Sequence, residues 1–273
     1  MNHKTLIFSG GGLRCLSFLG SLKYLIKHNH IQENFKDIKH IITVSGGLLF
    51  IIPLLLGFSI NFTIELFLRL NYNLLLDYQH FSVHNIFTDY GIFSNNFMKQ
   101  CCHELYKHKH LPTNFNLQDL YNMTNIKVSS KVVNLNTNKV IFINYKSHPT
   151  LSLITLLQMT TCIPIVFKPV IYKDEYYVDG GLCGNFPLEY NQSDNYIGFN
   201  IIHNKNNKIN NLFDYLETLK KSIGKTLLHK HKQIIHLNIN HNPLDMNLSY
   251  DNKKNIIRDG YRQTRSHYKH YKL

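Results

Sequence analysis

Ser45 closes a short apolar run, HIITV, and is followed by two glycines and a longer apolar run, GGLLFIIPLLLGF. A strand, a sharp turn bearing serine and a buried helix is how many hydrolases expose a nucleophilic hydroxyl, in the pattern G-x-S-x-G. Gly47 fills the second glycine place, but Thr43 stands where the first belongs. Taken alone, Ser45 reads equally as a helix cap. A second stretch, SGGGLRC at 9–15, turns a strand into a helix. Glycines there let backbone N–H groups approach an anion, either a dinucleotide phosphate or the oxyanion of an acyl-transfer intermediate. The dinucleotide reading wants a third glycine where Cys15 sits, and a plain tight turn also fits. A third stretch, YYVDGG, sets Asp179 at a strand end beside two glycines. An aspartate so placed is either a turn residue or a base in an exposed crevice.

The elements that would carry these residues follow from periodicity. TLIFS (5–9) reads as a buried strand and the helix after it runs to about Lys27. IKHIITV (38–44) is a second buried strand. The helix after Ser45 ends near Gly57, and Ser59 caps another over NFTIELFLRLNY. IKVSSKVVNL and KVIFINY read as strands joined by NTN, a helix covers 150–161, and VIYKDEYYVDGG is a hairpin turning at Lys173–Asp174. NYIGFNII (195–202) and QIIHLNI (233–239) add strands before a helical end. Strands alternating with helices predict an α/β fold whose largely parallel sheet is covered on both faces.

Together the three stretches resemble the patatin-like phospholipase family. SGGGLRC is similar to its glycine-rich oxyanion loop, TVSGG to its nucleophile elbow and VDGG to its aspartate motif. MTTCIPIVFKPV (159–170) resembles the segment ahead of that aspartate. The resemblance implies a three-layer α/β/α patatin-like domain with a mainly parallel central sheet. It implies one domain over 1–273, with the motifs in about 4–190 and strands and a basic helix in about 191–273. It further implies a Ser–Asp dyad hydrolysing ester bonds of phospholipids or related acyl lipids. Ser45 is then the nucleophile and Asp179 the base, with Gly10, Gly11, Gly12, Arg14 and Gly46 around the oxyanion and substrate. No cofactor or metal is implied. A serine–histidine–aspartate arrangement through His203 or His236 stays open, as does a catalytically weak lipid- or membrane-binding protein, because Thr43 and Cys15 depart from the family pattern.

Composition restrains other readings. The chain lacks alanine and tryptophan and is rich in asparagine, a bias that discounts raw counts. The net charge of +13 favours anionic surfaces, so the expected partners are an acyl-lipid substrate and, peripherally, an anionic membrane. No tight basic block with interleaved aromatics suggests nucleic acid. The basic end, NKKNIIRDGYRQTRSHYKHYKL, reads as a solvated helix. Five cysteines without disulfide spacing, no visible signal peptide and no run long enough to span a bilayer predict an intracellular protein, cytoplasmic or peripheral at membranes. Cys101, Cys102, His103, His108 and His110 cluster without a zinc-ligand spacing and read as a helix surface.

Overall fold

The computed structural model describes residues 5–75, 84–202 and 231–272, together with 209, 215 and 218. His203 lies outside them. The centre is an eight-stranded sheet. Its strands are β1 (Thr5–Phe8), β2 (His40–Val44), β4 (Lys127–Asn134), β5 (Lys139–Ile143), β7 (Val170–Tyr172), β8 (Glu175–Asp179), β9 (Tyr196–Ile202) and β10 (Ile234–Asn238). The order is β10-β9-β1-β2-β4-β8-β7, with β5 also on β4. The run from β10 to β4 is parallel, whereas β5, β7 and β8 pair antiparallel. Two short strands, β3 (Gly91–Phe93) and β6 (Ile165–Phe167), form a separate pair. The mostly parallel α/β expectation is borne out.

Strands without polar alternation become central because both sheet faces are covered. Leu6, Phe8, Ile41, Phe199 and Ile235 belong to the large core. Their neighbours Ile7, Ile42, Tyr196 and Ile234 face the other way, against Phe142, Phe186, Leu188 and Tyr190. On the larger side α1 (Ser17–Lys27), reached through a 3₁₀ turn at Gly12–Leu16, packs along α9 (Tyr250–Tyr271). A methyl group at Gly20 or Gly260 would run into the other helix's backbone, at the Ile257 or Ser17 carbonyl. The expected solvated helix is therefore corrected: α9 buries Ile256, Ile257, Thr264 and Tyr268 together with Lys253, whose Nζ donates to the Leu68 and Leu70 carbonyls, and exposes most of its other charged residues.

The helix expected from Ser45 to Gly57 divides into α2 (Gly46–Leu49) and α3 (Ile52–Leu55). Pro53 has no N–H to continue the first helix and instead occupies the first turn of the second. Then come α4 (Ile60–Arg69), α5 (Asn85–Thr88), α6 (Asn96–His108), α7 (Leu117–Thr124) and α8 (Leu153–Thr161). Ser59 caps α4 by accepting from the Phe62 N–H at 3.2 Å. Lys173 and Asp174 both take positive φ (50° and 60°), the geometry of the hairpin turn expected there. No helix among the described residues is long and apolar enough to cross a membrane.

Candidate active site

Ser45 follows the last residue of β2 and has φ 55° and ψ −132°. An L-residue in this region is strained, and the strain aims the side chain out of the strand direction. The turn is tight on its far side. A Cβ on Gly46 would lie 2.8 Å from the Gly12 carbonyl oxygen, and one on Gly47 would lie 2.8 Å from that of Ser9. These two glycines are therefore fixed by the approach of β1 and its loop.

Thr43 has a defined task. It is fully buried, and its hydroxyl donates to Ser130 Oγ at 3.0 Å. Ser130 donates to Thr160 Oγ1 at 2.9 Å, and Thr160 donates to the Lys131 carbonyl at 2.9 Å. The Ser45 N–H also donates to Thr160 Oγ1, at 2.9 Å. Thr160 thus accepts twice and donates once, and the last residues of α8 tie the strained serine to β4.

The register of β4 places the aspartate. Thr43 and Val44 pair with Ser130 and Lys131, while Asp179 pairs with Val132. β5 also pairs with residues 130–134, so it occupies the opposite edge of β4 across both stretches. β2 and β8 consequently share one edge and meet end to end, Val44 opposite Lys131 and Asp179 opposite the next residue. Asp179 is buried, its N–H donates to the Cys162 carbonyl at 2.9 Å, and its Oδ1 accepts from the Gly181 N–H at 2.7 Å.

The glycine loop closes over this junction. A Cβ on Gly10 would sit 3.2 Å from Ser45 Cβ and from Asn185 Oδ1. The Gly10 N–H donates to the Asn185 carbonyl at 2.9 Å, so Gly10 is corrected as an oxyanion donor: it supplies space. Gly12 has φ 56°, and a Cβ there would strike the Pro243 carbonyl. The Leu13 N–H donates to that same carbonyl at 2.8 Å. Among the described residues no hydrogen bond engages the N–H of Gly11, Gly12 or Gly46. Arg14 is buried, and its Nε donates to the Gly11 carbonyl at 3.3 Å, bracing the loop.

Cys15 fits where a glycine was expected. It is wholly buried, its thiol is held neutral because burial raises its pKa far above the ordinary range, and a Cβ on Gly46 would be 3.1 Å from its Sγ. His236 lies on β10, three strands from β2, so it is not beside Ser45. No three metal-ligating side chains converge among the described residues.

Sequence reasoning missed four participants: Ser130, Thr160, Asn185 and Lys131. The Lys131 side chain is only 2% exposed, yet its Nζ donates to the carbonyls of Cys183 (2.9 Å) and Gly184 (3.2 Å) and to Glu189 Oε1 (2.6 Å). It clamps the turn that follows Asp179. The serine, glycine and threonine side of the site opens on a small pocket of about 40 Å³ lined in part by Gly12, Ser45, Thr161 and Leu244. Pro243 and Leu244 come from a segment with no motif to mark it.

The fold and the site define a chain of the α/β acyl-hydrolase class. The patatin-like phospholipase family matches over residues 6–191, so the chain belongs to that family and is a lipid acyl hydrolase. It is 26% identical over 245 residues to a probable lipid hydrolase of Invertebrate iridescent virus 6, covering 87% of this chain and 77% of that protein. An uncharacterised protein of Acanthamoeba polyphaga mimivirus is 24% identical over 238 residues, covering 82% of this chain and 76% of the relative. Among solved structures, VipD from Legionella pneumophila superposes with a TM-score of 0.65 at 16% identity, over 99% of this chain and 67% of that one. The type III effector protein ExoU gives 0.58 at 12% identity, over all of this chain and 54% of its own.

Proposed function

We propose that Ser45 and Asp179 form a catalytic dyad that hydrolyses ester bonds of phospholipids or related acyl lipids. Asp179 takes the Ser45 Oγ proton as the oxygen attacks the ester carbonyl. The N–H groups of Gly11, Gly12 and Gly46 hold the resulting oxyanion, each donor contributing roughly 3 kcal/mol in such sites. Collapse breaks the bond to the alcohol, which leaves with the proton from Asp179. Asp179 then deprotonates water, water attacks the acyl–Ser45 ester, and the acid is released as Ser45 regains its proton.

The observation that carries this reading is the meeting of β2 and β8 on one edge of β4, with the strained Ser45 at the junction. The strands β9 and β10, which extend the sheet containing β1, support taking 1–273 as one patatin-like domain. The +13 charge supports peripheral action at an anionic membrane inside the cell. The test is hydrolysis of a short-chain ester and of phospholipid vesicles by the wild type, Ser45→Ala and Asp179→Asn. Loss of roughly 10³-fold or more in both variants is expected. Equal rates in all three would sink the dyad.

A further inference from the structure

We propose that the cavity between α4 and α6 holds the substrate's acyl chain, and that Met98 is the side chain separating it from Ser45. This rests on the esterase reading of Ser45. The pocket at Ser45 offers only about 40 Å³, room for the reacting ester group and little of its chain. A second cavity of about 250 Å³ adjoins it, and Leu49 and Met98 line both. Leu49 stands four residues after the nucleophile. The larger cavity is walled almost wholly by carbon, including Leu66 and Phe67 from α4 and Leu105 from α6. Tyr72 also lines it, but its hydroxyl proton is committed to the Phe67 carbonyl at 3.1 Å and is not available to a ligand. Charge is confined to the rim, where the Glu104 carboxylate pairs with Lys107 at 2.6 Å on the exposed side of α6.

Such walls select hydrocarbon. Scaling from a dry cavity of ~150 Å³ that takes up benzene, this one suits an unbranched chain of about ten carbons. Met98 is 5% exposed, and the Thr161 hydroxyl lies 3.1 Å from its Sδ, a contact that competes for the hydroxyl's single proton with the 2.7 Å bond to the Leu157 carbonyl. Thr161 lines the Ser45 pocket, so the latch on Met98 is made from the catalytic side. A thioether is a weak acceptor on a side chain with three rotatable bonds, and an entering chain can swing it aside at little cost.

Two measurements test this. The first titrates Ser45→Ala with decanoic acid by calorimetry, where binding with a negative heat-capacity change is expected. Adding Leu66→Trp, which fills the cavity, should weaken that binding at least ~10-fold. The second compares kcat/KM for p-nitrophenyl decanoate and butyrate in otherwise wild-type protein. Leu66→Trp should lower the decanoate-to-butyrate ratio about 10-fold, and Met98→Ala should move the optimum to longer chains. Decanoate affinity and chain-length ratio both unmoved by Leu66→Trp, with the Met98→Ala optimum unshifted, would overturn the assignment. If the wild type hydrolyses no ester, the dyad reading fails, and the titration still decides the cavity.

Discussion

Val44 and Asp179 take successive places on one edge of β4, opposite Lys131 and Val132, although they arrive from strands running in opposite directions. The two chain ends that carry Ser45 and Asp179, the proposed nucleophile and base, are thereby held by a single strand. Little separates them except the turn each chain must make on leaving the sheet.

That relationship makes Gly180 a sensitive position. A Cβ there would lie 2.5 Å from the carbonyl carbon and oxygen of Lys131, so Gly180→Ala must push the end of β8 away from β4. A shift near 1 Å at Asp179, the proposed base, predicts a loss of about 100-fold in kcat. Ester turnover and the rate of fluorophosphonate labelling of Ser45 should fall together, with far-ultraviolet circular dichroism unchanged. Wild-type turnover in Gly180→Ala would show that β8 has freedom the register does not suggest.

Thr160 holds the Ser45 backbone by accepting its N–H. Thr160→Val removes the acceptor of the Ser45 N–H and of the Ser130 hydroxyl, leaving two buried donors unpaired. At 1–3 kcal/mol for each orphaned group, the combined loss is about 3 kcal/mol, a fall in Tm of roughly 10 °C. Activity should fall further than stability alone explains, measured as kcat well below the melting range. Thr160→Ser keeps the hydroxyl and should restore both. A Thr160→Val protein with wild-type Tm and kcat would remove the network from consideration.

The three glycine-bearing motifs, and the strands that carry them, were legible because backbone approach leaves a mark: only glycine fits at 46, 47 and 180. The parallel strands were legible because burial on both faces removes alternation. Thr43 was misleading for a physical reason. A glycine two residues before the nucleophile reads as space, whereas this chain fills the place with a hydroxyl bonded to Ser130, a partner 87 residues away. Asn185, Lys131 and the 243–244 segment had no local signature, since their roles depend on which carbonyls tertiary packing brings near. The break between α2 and α3 was written in Pro53, but the apolar run around it masked the signal.

Lys131 should separate function from stability. Exchanging a buried lysine for methionine of similar shape removes a desolvated charge, so Lys131→Met is expected to change ΔG of unfolding by no more than about 1 kcal/mol. It also frees the Cys183 and Gly184 carbonyls, and with them the turn after Asp179. A fall in kcat of about 10-fold with little change in KM is expected. Glu189→Gln should do less, because that side chain is 53% exposed and hydrated. The prediction is refuted if Lys131→Met loses stability and activity in proportion, which would make the lysine a structural residue alone.

His40 gives the fold an acid-side weakness. It is half-buried, its Nε2 lies 2.9 Å from Ser129 Oγ, and burial followed by the nearby Lys127 charge lowers its pKa from 6.5 to about 4. The folded protein therefore keeps His40 neutral where the unfolded chain protonates it. The sign follows: stability is complete above pH 6.5 and is lost as pH falls from there toward 4, by up to about 3 kcal/mol. His267, lowered chiefly by burial, acts in the same direction. His40→Gln keeps a polar partner for Ser129 but cannot titrate. Urea midpoints at pH 7 and pH 4.5 should therefore differ less in His40→Gln than in the wild type. An equal drop in the two proteins would show that His40 titrates alike in the folded and unfolded states and that its burial contributes nothing to the acid-side loss.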